Sequence, residues 1–261
     1  MTELRRNRSV QIGLGFGLPL LAATALGVTL WQILPAESVL PWALPPAVVA
    51  GLCWAGQLWY VGYSVDSGVP WHRLFGLANT LTLVRGALYA VVAGFVVVPA
   101  GTDLAWVPAL CYGVGVTFDK LDGTVARTVG RPTELGTRLD TAFDTFGFVA
   151  APLVAVLWGL LPVWYLVISA ARYAFIAGVR LRRLRGLPAY DRPDSDLGKY
   201  LAGVQMAFIT IALAPPAPTE LVWTVAPFVL APSLAVFGRD YLAVSGRLPG
   251  HARQSQETID T

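Results

Sequence analysis

Four aspartates stand between two long apolar stretches of the chain: Asp119, Asp122, Asp140 and Asp144. The first two are three residues apart and the last two are four apart, so each pair lies on one face of a helix. A carboxylate at the centre of a membrane span costs about 2.5 to 3.5 kcal/mol, so a group of four is tolerated only around a polar cavity with positive charge nearby. Because their placement is so unfavourable, the four aspartates indicate a functional site.

Oxygen donors without histidine or thiolate are the ligands of hard divalent cations, so the four acids predict a site for Mg²⁺, or for Mn²⁺ or Ca²⁺. Two ions about 3.5 to 4 Å apart would neutralise a pyrophosphate and stabilise the attacking and leaving oxygens of a phosphoryl transfer. Gly123, Ala126 and Gly136 lie beside the acids and allow close approach of a ligand or of backbone. The alternative is a solvated charged rim paired with arginines such as Arg127 and Arg138, which suits one pair of acids better than four.

The composition of the 261 residues sets the environment of these acids, because 55% are apolar and only 13% are charged. An ordinary soluble domain is roughly 25% charged. Uncharged runs such as 9–36, 38–65 and 145–171 exceed the roughly 20 residues that cross a bilayer. We therefore predict an all-α integral membrane protein and exclude water-soluble folds and secreted disulfide scaffolds.

Prolines, glycines and charges divide the chain into about eight transmembrane helices. A short loop at 128–135 joins the two spans that carry the acids, which predicts that these spans are antiparallel neighbours. The predicted spans cover about 11–34, 41–63, 79–99, 104–126, 136–159, 162–183, 198–214 and 221–238.

The basic residues predict the orientation of the chain. Alternate loops near 35–40, 99–105, 159–162 and 214–220 contain no Lys or Arg, whereas the N-terminal segment and the Arg180–Arg185 run are rich in arginine. The positive-inside rule then places both termini and the acids on the cytoplasmic side of the cell membrane. The arginine run lies beside a span without a folded module around it, so it predicts contact with anionic headgroups and no nucleic-acid partner.

A family resemblance rests on the acids and their spacing. The segment from Asp119 to Asp144 fills every fixed position of D-x-x-D-G-x-x-A-R-x8-G-x3-D-x3-D, the signature that it resembles in the CDP-alcohol phosphotransferases. Upstream, Asn79-Thr80-Leu81-Thr82-Leu83-Val84-Arg85 is similar to the N-x-L-T-x-x-R that opens the first core span of that family. Ala78 departs from the family, in which proline is common before this asparagine.

The resemblance implies a membrane enzyme of phospholipid biosynthesis. Such enzymes transfer the phosphatidyl or phosphoalcohol group of a CDP-linked lipid donor to an alcohol acceptor and release CMP. It also implies a six-helix core at 65–245, preceded by an additional two-helix hairpin at 1–64 and followed by a polar tail at 246–261. A homodimer within the lipid bilayer is a further expectation from the family.

Site residues follow from the same resemblance, position by position. Asp119, Asp122 and Asp140 would hold the metal, and Asp144 would complete the cluster and act as general base on the acceptor hydroxyl. The implied donor-binding residues are Asn79, Thr82, Gly123, Ala126, Arg127 and Gly136.

Three cations are candidates for binding the acceptor: Arg138, Arg172 and Lys199. Arg172 lies well inside the sixth span, where a charge needs a partner, and it either lines an acceptor pocket or pairs internally with Asp144 or reaches the interface. Together the three cations favour an acceptor that carries its own phosphate, such as glycerol phosphate or inositol phosphate.

Two other functions compete with the transferase. A cation transporter could use intramembrane carboxylates, but it would need them in several spans along a path across the membrane. A catalytically inactive scaffold of the same family is the other alternative, and the complete set of acids argues against it.

Overall fold

Helices make up almost all of the described part of the chain. A computed structural model of the protein describes residues 18–35, 40–64, 77–128, 134–188, 190 and 195–247. Within these ranges there are eight α-helices and no strand, so the predicted all-α fold is confirmed. The helices are α1 Leu18–Ile33, α2 Leu40–Ser64, α3 Leu77–Gly94, α4 Trp106–Thr128, α5 Glu134–Leu157, α6 Val167–Leu184, α7 Asp196–Leu213 and α8 Thr219–Val244. Each predicted span overlaps one of them.

Short 3₁₀ segments adjoin two of these helices. Phe95–Val97 continues α3 and Val163–Leu166 leads into α6. Four segments are long and apolar enough to cross a bilayer by length and composition: Asn79–Val97, Leu139–Leu157, Val163–Leu184 and Thr219–Val244. These helices and the membrane-type composition identify an integral membrane protein.

The third helix is the centre of the packing. α3 packs against α2, α4 and α5, while α7 packs against α4, α5 and α8, and α6 packs against α8 and α5. We expected α4 and α5 to be close neighbours, but they make only slight contact with each other because α3 lies between them. A short loop fixes the distance between two helix ends and does not prevent a third helix from entering the space beyond.

Small residues let the N-terminal hairpin pack closely on this central helix. A Cβ atom at Gly86 of α3 would lie 2.7 Å from Oε1 of Gln57, and one at Gly94 would lie 2.6 Å from the carbonyl oxygen of Pro46. Both partners belong to α2, and Gln57 is fully buried. Glycine at such positions allows two helix backbones to approach, as in membrane helix pairs generally.

We predict that Gly94→Ala destabilises the protein by about 1 to 3 kcal/mol, the usual effect of an added methyl in a packed core. The new methyl would meet the backbone of α2, which cannot rotate away as a side chain can. The free energy of unfolding, measured by SDS titration of the protein in mild detergent, checks this.

Gly51→Ala in α2 is the matched control, because a Cβ atom there has no neighbour within 4 Å. We expect it to leave the free energy of unfolding unchanged or to raise it by up to about 1 kcal/mol, the difference in helix propensity between the two residues. Equal stabilities of the two variants would contradict the close packing of α2 on α3.

Candidate active site

A buried arginine lies at the centre of the acid cluster. Arg85 of α3 has a fully buried side chain. Its Nη1 donates a hydrogen bond to Oδ1 of Asp119 in α4, and its Nη2 donates one to Oδ1 of Asp140 in α5. Oδ1 of Asp144 lies 3.5 Å from Nη1. One guanidinium therefore forms ion pairs with acids from two helices that hardly touch each other.

The three described acids are arranged as a cation site would require. One carboxylate oxygen each from Asp119, Asp140 and Asp144 lies within 4.8 Å of the others. Oδ1 of Asp144 is buried and accepts no hydrogen bond within the described part of the chain, which leaves it suited to a metal ligand role. Hard divalent cations take oxygen ligands of this kind, so the residues present fit the predicted metal.

Access to the cluster is uneven. The side chain of Asp140 is 42% exposed, against 20% for Asp144, 15% for Asp119 and none for Arg85. The open side of the cluster is therefore at Asp140, and a ligand that reaches the acids meets this residue first.

Several predicted residues have side chains outside the described part of the structure. The backbones of Asp122, Gly123, Ala126 and Arg127 belong to α4 and that of Arg138 belongs to α5. Their roles stay predictions from the sequence, as does the fourth carboxylate of the cluster.

Two predicted donor-binding residues stand on α3 at intervals of three residues before Arg85. Asn79 and Thr82 are both buried and form a stripe that ends at Arg85. Gly136 lies partly buried in the first turn of α5, four residues before Asp140. All three therefore lie within two turns of Arg85 or Asp140 on the same helices, and their role in donor binding stays a prediction.

A cavity of about 570 Å³ adjoins the cluster, and both described candidate acceptor residues line it. Thr141, which directly follows Asp140, is part of its wall. Cζ of Arg172 lies 5.6 Å from the centroid of the Phe148 ring, within the range of a cation–π contact. The wall comprises Thr141, Phe148, Ile168, Arg172, Phe175, Ser195, Gly198, Lys199, Leu201, Ala202, Gln205, Ser233, Val236 and Phe237.

One face of α5 connects the acid cluster with this cavity. Successive helical residues turn by about 100°, so Thr141, Asp144 and Phe148 fall within an arc of about 60°. Viewed along the axis of α5, Asp140 lies about 40° from Asp144, on the side opposite to Thr141 and Phe148. Around α5, Asp144 therefore lies between Asp140 and the two cavity-lining residues Thr141 and Phe148.

Hydrogen bonds fix the inner end of the cavity. The Tyr165 hydroxyl donates a hydrogen bond to Oε1 of Gln205. Nε2 of Gln205 donates two, one to the Val229 carbonyl and one to Oγ of Ser233, both of 3.0 Å. Ser169 of α6 donates to the Phe148 carbonyl of α5 at 2.6 Å. The buried amide thus joins α7 to α8 and to the segment before α6.

Comparison with known proteins assigns this site to a family. The profile of CDP-alcohol phosphatidyltransferases matches residues 75–235, which contain the acids, Arg85 and most of the residues that line the cavity. The chain belongs to this family. Its members use a divalent metal, and the acid cluster could bind one. No solved structure matches the chain significantly.

Curated relatives bear names of the same kind. Proteins named putative cardiolipin synthase from Mycobacterium bovis and from two strains of Mycobacterium tuberculosis are each 33% identical to this chain over 144 residues. The match covers 54% of this chain and 66% of each relative, so the chain spans just under two thirds of the length of these relatives.

Sequence reasoning missed the role of Arg85. Arg85 is the last residue of the N-x-L-T-x-x-R pattern that resembles the family, but it was not predicted to take part in the site. A signal was present, because Arg85 precedes the uncharged run 86–102 and so enters the membrane with α3. A charge in that position needs a partner, and the acids are its partners.

We predict that Arg85→Met lowers the free energy of unfolding by about 3 kcal/mol in the presence of EDTA, near the lower end of the cost of breaking a buried pair, because it leaves three partly buried carboxylates without their counter-charge. Mg²⁺ should restore part of this loss, since a bound cation replaces the missing positive charge. SDS titrations with EDTA and with Mg²⁺ measure both effects.

The exposed Arg183 of α6 supplies the control for the loss of one positive charge. We expect Arg183→Gln to change the free energy of unfolding by less than about 0.5 kcal/mol under both conditions. A wild-type stability of Arg85→Met in EDTA would contradict the role of Arg85 as the counter-charge of the cluster.

Proposed function

We propose that this chain is a membrane-bound CDP-alcohol phosphatidyltransferase of phospholipid biosynthesis. It would transfer the phosphatidyl group of a CDP-linked lipid to the hydroxyl of an alcohol and release CMP. The observation that carries the proposal is the group of three carboxylates around Arg85, beside a cavity lined by two cations. Family membership supports the same reaction.

The metal ligands in this proposal are Asp119, Asp122, Asp140 and Asp144. These residues would hold divalent cations, in our proposal two Mg²⁺ ions, whose positive charge would neutralise the pyrophosphate of the donor and stabilise the oxygens that attack and leave. Arg85 holds three of the carboxylates together from within the fold. The protein itself therefore contributes a preassembled set of oxygen ligands.

Asp144 has the position of a general base. The acceptor oxygen attacks the phosphorus that bears the lipid, the bond from that phosphorus to the CMP oxygen breaks, and the acceptor proton passes to a carboxylate. A free alcohol is a weak nucleophile, so removal of its proton as the new bond forms accelerates the step. The place of Asp144 between the acid cluster and the cavity suits this transfer.

The donor would lie over the start of α3 and the ends of α4 and α5. Gly123 and Ala126 would leave room for the cytidine, and Arg127 would hold a donor phosphate by charge-assisted hydrogen bonds. The remaining donor-binding residues in this proposal are Asn79, Thr82 and Gly136.

The acceptor would occupy the cavity and carry a phosphate. Arg172 and Lys199 line the cavity. Arg138 is the third cation that the sequence predicts to bind the acceptor. Glycerol phosphate and inositol phosphate meet this requirement as soluble acceptors. Phosphatidylglycerol meets it as a lipid, and it is the acceptor implied if this chain shares the activity named in its mycobacterial relatives, because cardiolipin carries two phosphatidyl groups on one glycerol.

The orientation of the protein belongs to the same proposal. Loops without Lys or Arg alternate with arginine-rich ones, which supports cytoplasmic termini and a site that opens to the cytoplasm. We also retain the division into a hairpin at 1–64, a core at 65–245 and a tail at 246–261, and a homodimer. The family match at 75–235 supports the core assignment by leaving the hairpin outside it.

We predict that the wild-type protein releases CMP from CDP-diacylglycerol in the presence of Mg²⁺ and one acceptor of a panel containing glycerol 3-phosphate, inositol phosphate and phosphatidylglycerol. Asp144→Asn should lower kcat by about 10²- to 10⁴-fold, the usual contribution of a general base. Radiolabelled CMP release measures both.

Asp103→Asn is the control, because Asp103 is an exposed acid in the loop between α3 and α4. It should retain the wild-type kcat. Absence of CMP release with every acceptor would reject the transferase and favour an inactive scaffold, while full activity of Asp144→Asn would reject the assigned base.

A separate prediction concerns the cations of the cavity. Arg172→Gln and Lys199→Gln should each raise KM for the acceptor by about tenfold or more, the effect of losing a hydrogen bond to a charged group, and leave KM for the CDP donor unchanged. Steady-state kinetics with each substrate varied in turn measure this, with Arg183→Gln as the control. Equal rises in both KM values would contradict a cavity specific for the acceptor.

A further inference from the structure

A tyrosine ring fills the space between α4 and α5 directly behind the acid cluster. Tyr89 follows Arg85 by four residues on α3, and its side chain is fully buried. A Cβ atom at Gly115 of α4 would lie 2.5 Å from Cε1 of the ring, and one at Gly147 of α5 would lie 2.6 Å from Cε2. The two edges of the ring therefore rest against the backbones of two different helices.

The two glycines stand one turn from the acids of their own helices. Gly115 precedes Asp119 by four residues, and Gly147 follows Asp144 by three. Because the two chain directions are opposite, both glycines lie on the same side of the acids, at the level of Tyr89. The helices that carry the carboxylates are thus held by α3 at two successive levels, first by Arg85 and then by Tyr89.

Arg85 and Tyr89 act on the helix separation in opposite senses. The guanidinium attracts Asp119, Asp140 and Asp144 and so draws α4 and α5 together. The ring is rigid and meets glycine backbone on both sides, so it limits how closely the helices approach. The slight direct contact between α4 and α5 leaves this limit to Tyr89.

We propose that Tyr89 is a positioning residue whose ring sets the separation of α4 and α5, and with it the size of the cation that the aspartates bind. This inference rests on the metal site of the proposed function. Mg²⁺ requires oxygen ligands at about 2.0 to 2.1 Å in near-ideal octahedral geometry, whereas Ca²⁺ accepts about 2.3 to 2.6 Å and irregular geometry. A small change in helix separation therefore changes the preference between the two ions.

The ring, and not the hydroxyl, performs this function. The Tyr89 hydroxyl is buried and makes no hydrogen bond with the part of the chain that the structure describes. The ring of Tyr112 in α4 packs against it at 5.3 Å between centroids and supports its orientation. Phenylalanine at position 89 should consequently preserve the separation of the helices, and leucine should not.

The experiment compares cation binding by purified full-length variants in detergent. Binding of Mn²⁺ is followed by the electron paramagnetic resonance signal of the free ion, and Mg²⁺ and Ca²⁺ are added as competitors. Gly147→Ala adds a methyl against the ring and widens the site, so it should shift the ratio of Ca²⁺ to Mg²⁺ affinity in favour of Ca²⁺ by about 10-fold or more, within the range found for residues that support metal ligands.

Two substitutions of Tyr89 then test directly whether its ring acts as a spacer between α4 and α5. Tyr89→Leu removes the ring without introducing a clash and should lower the discrimination between Mg²⁺ and Ca²⁺, whereas Tyr89→Phe should retain it. Gly147→Ala combined with Tyr89→Leu gives the new methyl room and should return the ratio towards the wild-type value. Gly51→Ala, remote from the site, should leave the ratio unchanged.

The proposal is overturned if Gly147→Ala and Tyr89→Leu weaken binding of all three ions by the same factor, since a loss of structure would do that without selectivity. It is also overturned if Tyr89→Phe behaves like Tyr89→Leu, which would assign the effect to the hydroxyl, or if the wild type binds none of the ions. Should Gly147→Ala fail to fold, Tyr89→Leu still decides the question. A shift in ion preference without any CMP release would support the spacer and reject the transferase.

Discussion

The ion pairs of Arg85 are the interaction on which the rest of this structure depends. Three carboxylates within a few ångströms repel one another, and a lone guanidinium on a membrane helix is equally unfavourable, so neither group is stable there without the other. Their mutual requirement places α3 between α4 and α5. The position of the central helix, and so the order of helices around it, follows from a charge balance as much as from apolar packing.

Because of this placement, the two sides of α3 carry side chains of different size. Large side chains, Arg85 and Tyr89, fill the space towards α4 and α5, while Gly94 brings the backbone of α2 close on the other side. The N-terminal hairpin lies outside the region matched by the family profile, yet it packs on the helix that organises the acids. The hairpin and the acid cluster therefore contact the same helix, α3.

The sequence predicted those features that depend on local periodicity. Helix number, approximate helix bounds and the pairing of Asp140 with Asp144 follow from spacing along one chain segment. Contacts between helices were harder to predict, because the loop at 128–135 restricts only the ends of α4 and α5. It does not indicate whether another helix lies between them. The role of Arg85 needed the relative positions of three helices, and the Gln205 hydrogen bonds needed those of α7, α8 and the segment before α6.

The gradient of exposure among the three described acids gives a reason why residues of one type can differ in role. Asp140 is the most exposed of the three and Asp119 the least, while Asp144 is intermediate in exposure and lies between Asp140 and the cavity-lining Thr141 and Phe148 around α5. An acid that belongs to the cluster and lies next to the cavity-lining residues of its helix can bind a metal through one oxygen and accept a proton through the other. A rotation of α5 about its axis by one residue, about 100°, would turn Asp144 away from either the acid cluster or the cavity. In the reaction that we propose, the orientation of α5 fixed by Arg85 is therefore as important as the identity of the aspartates.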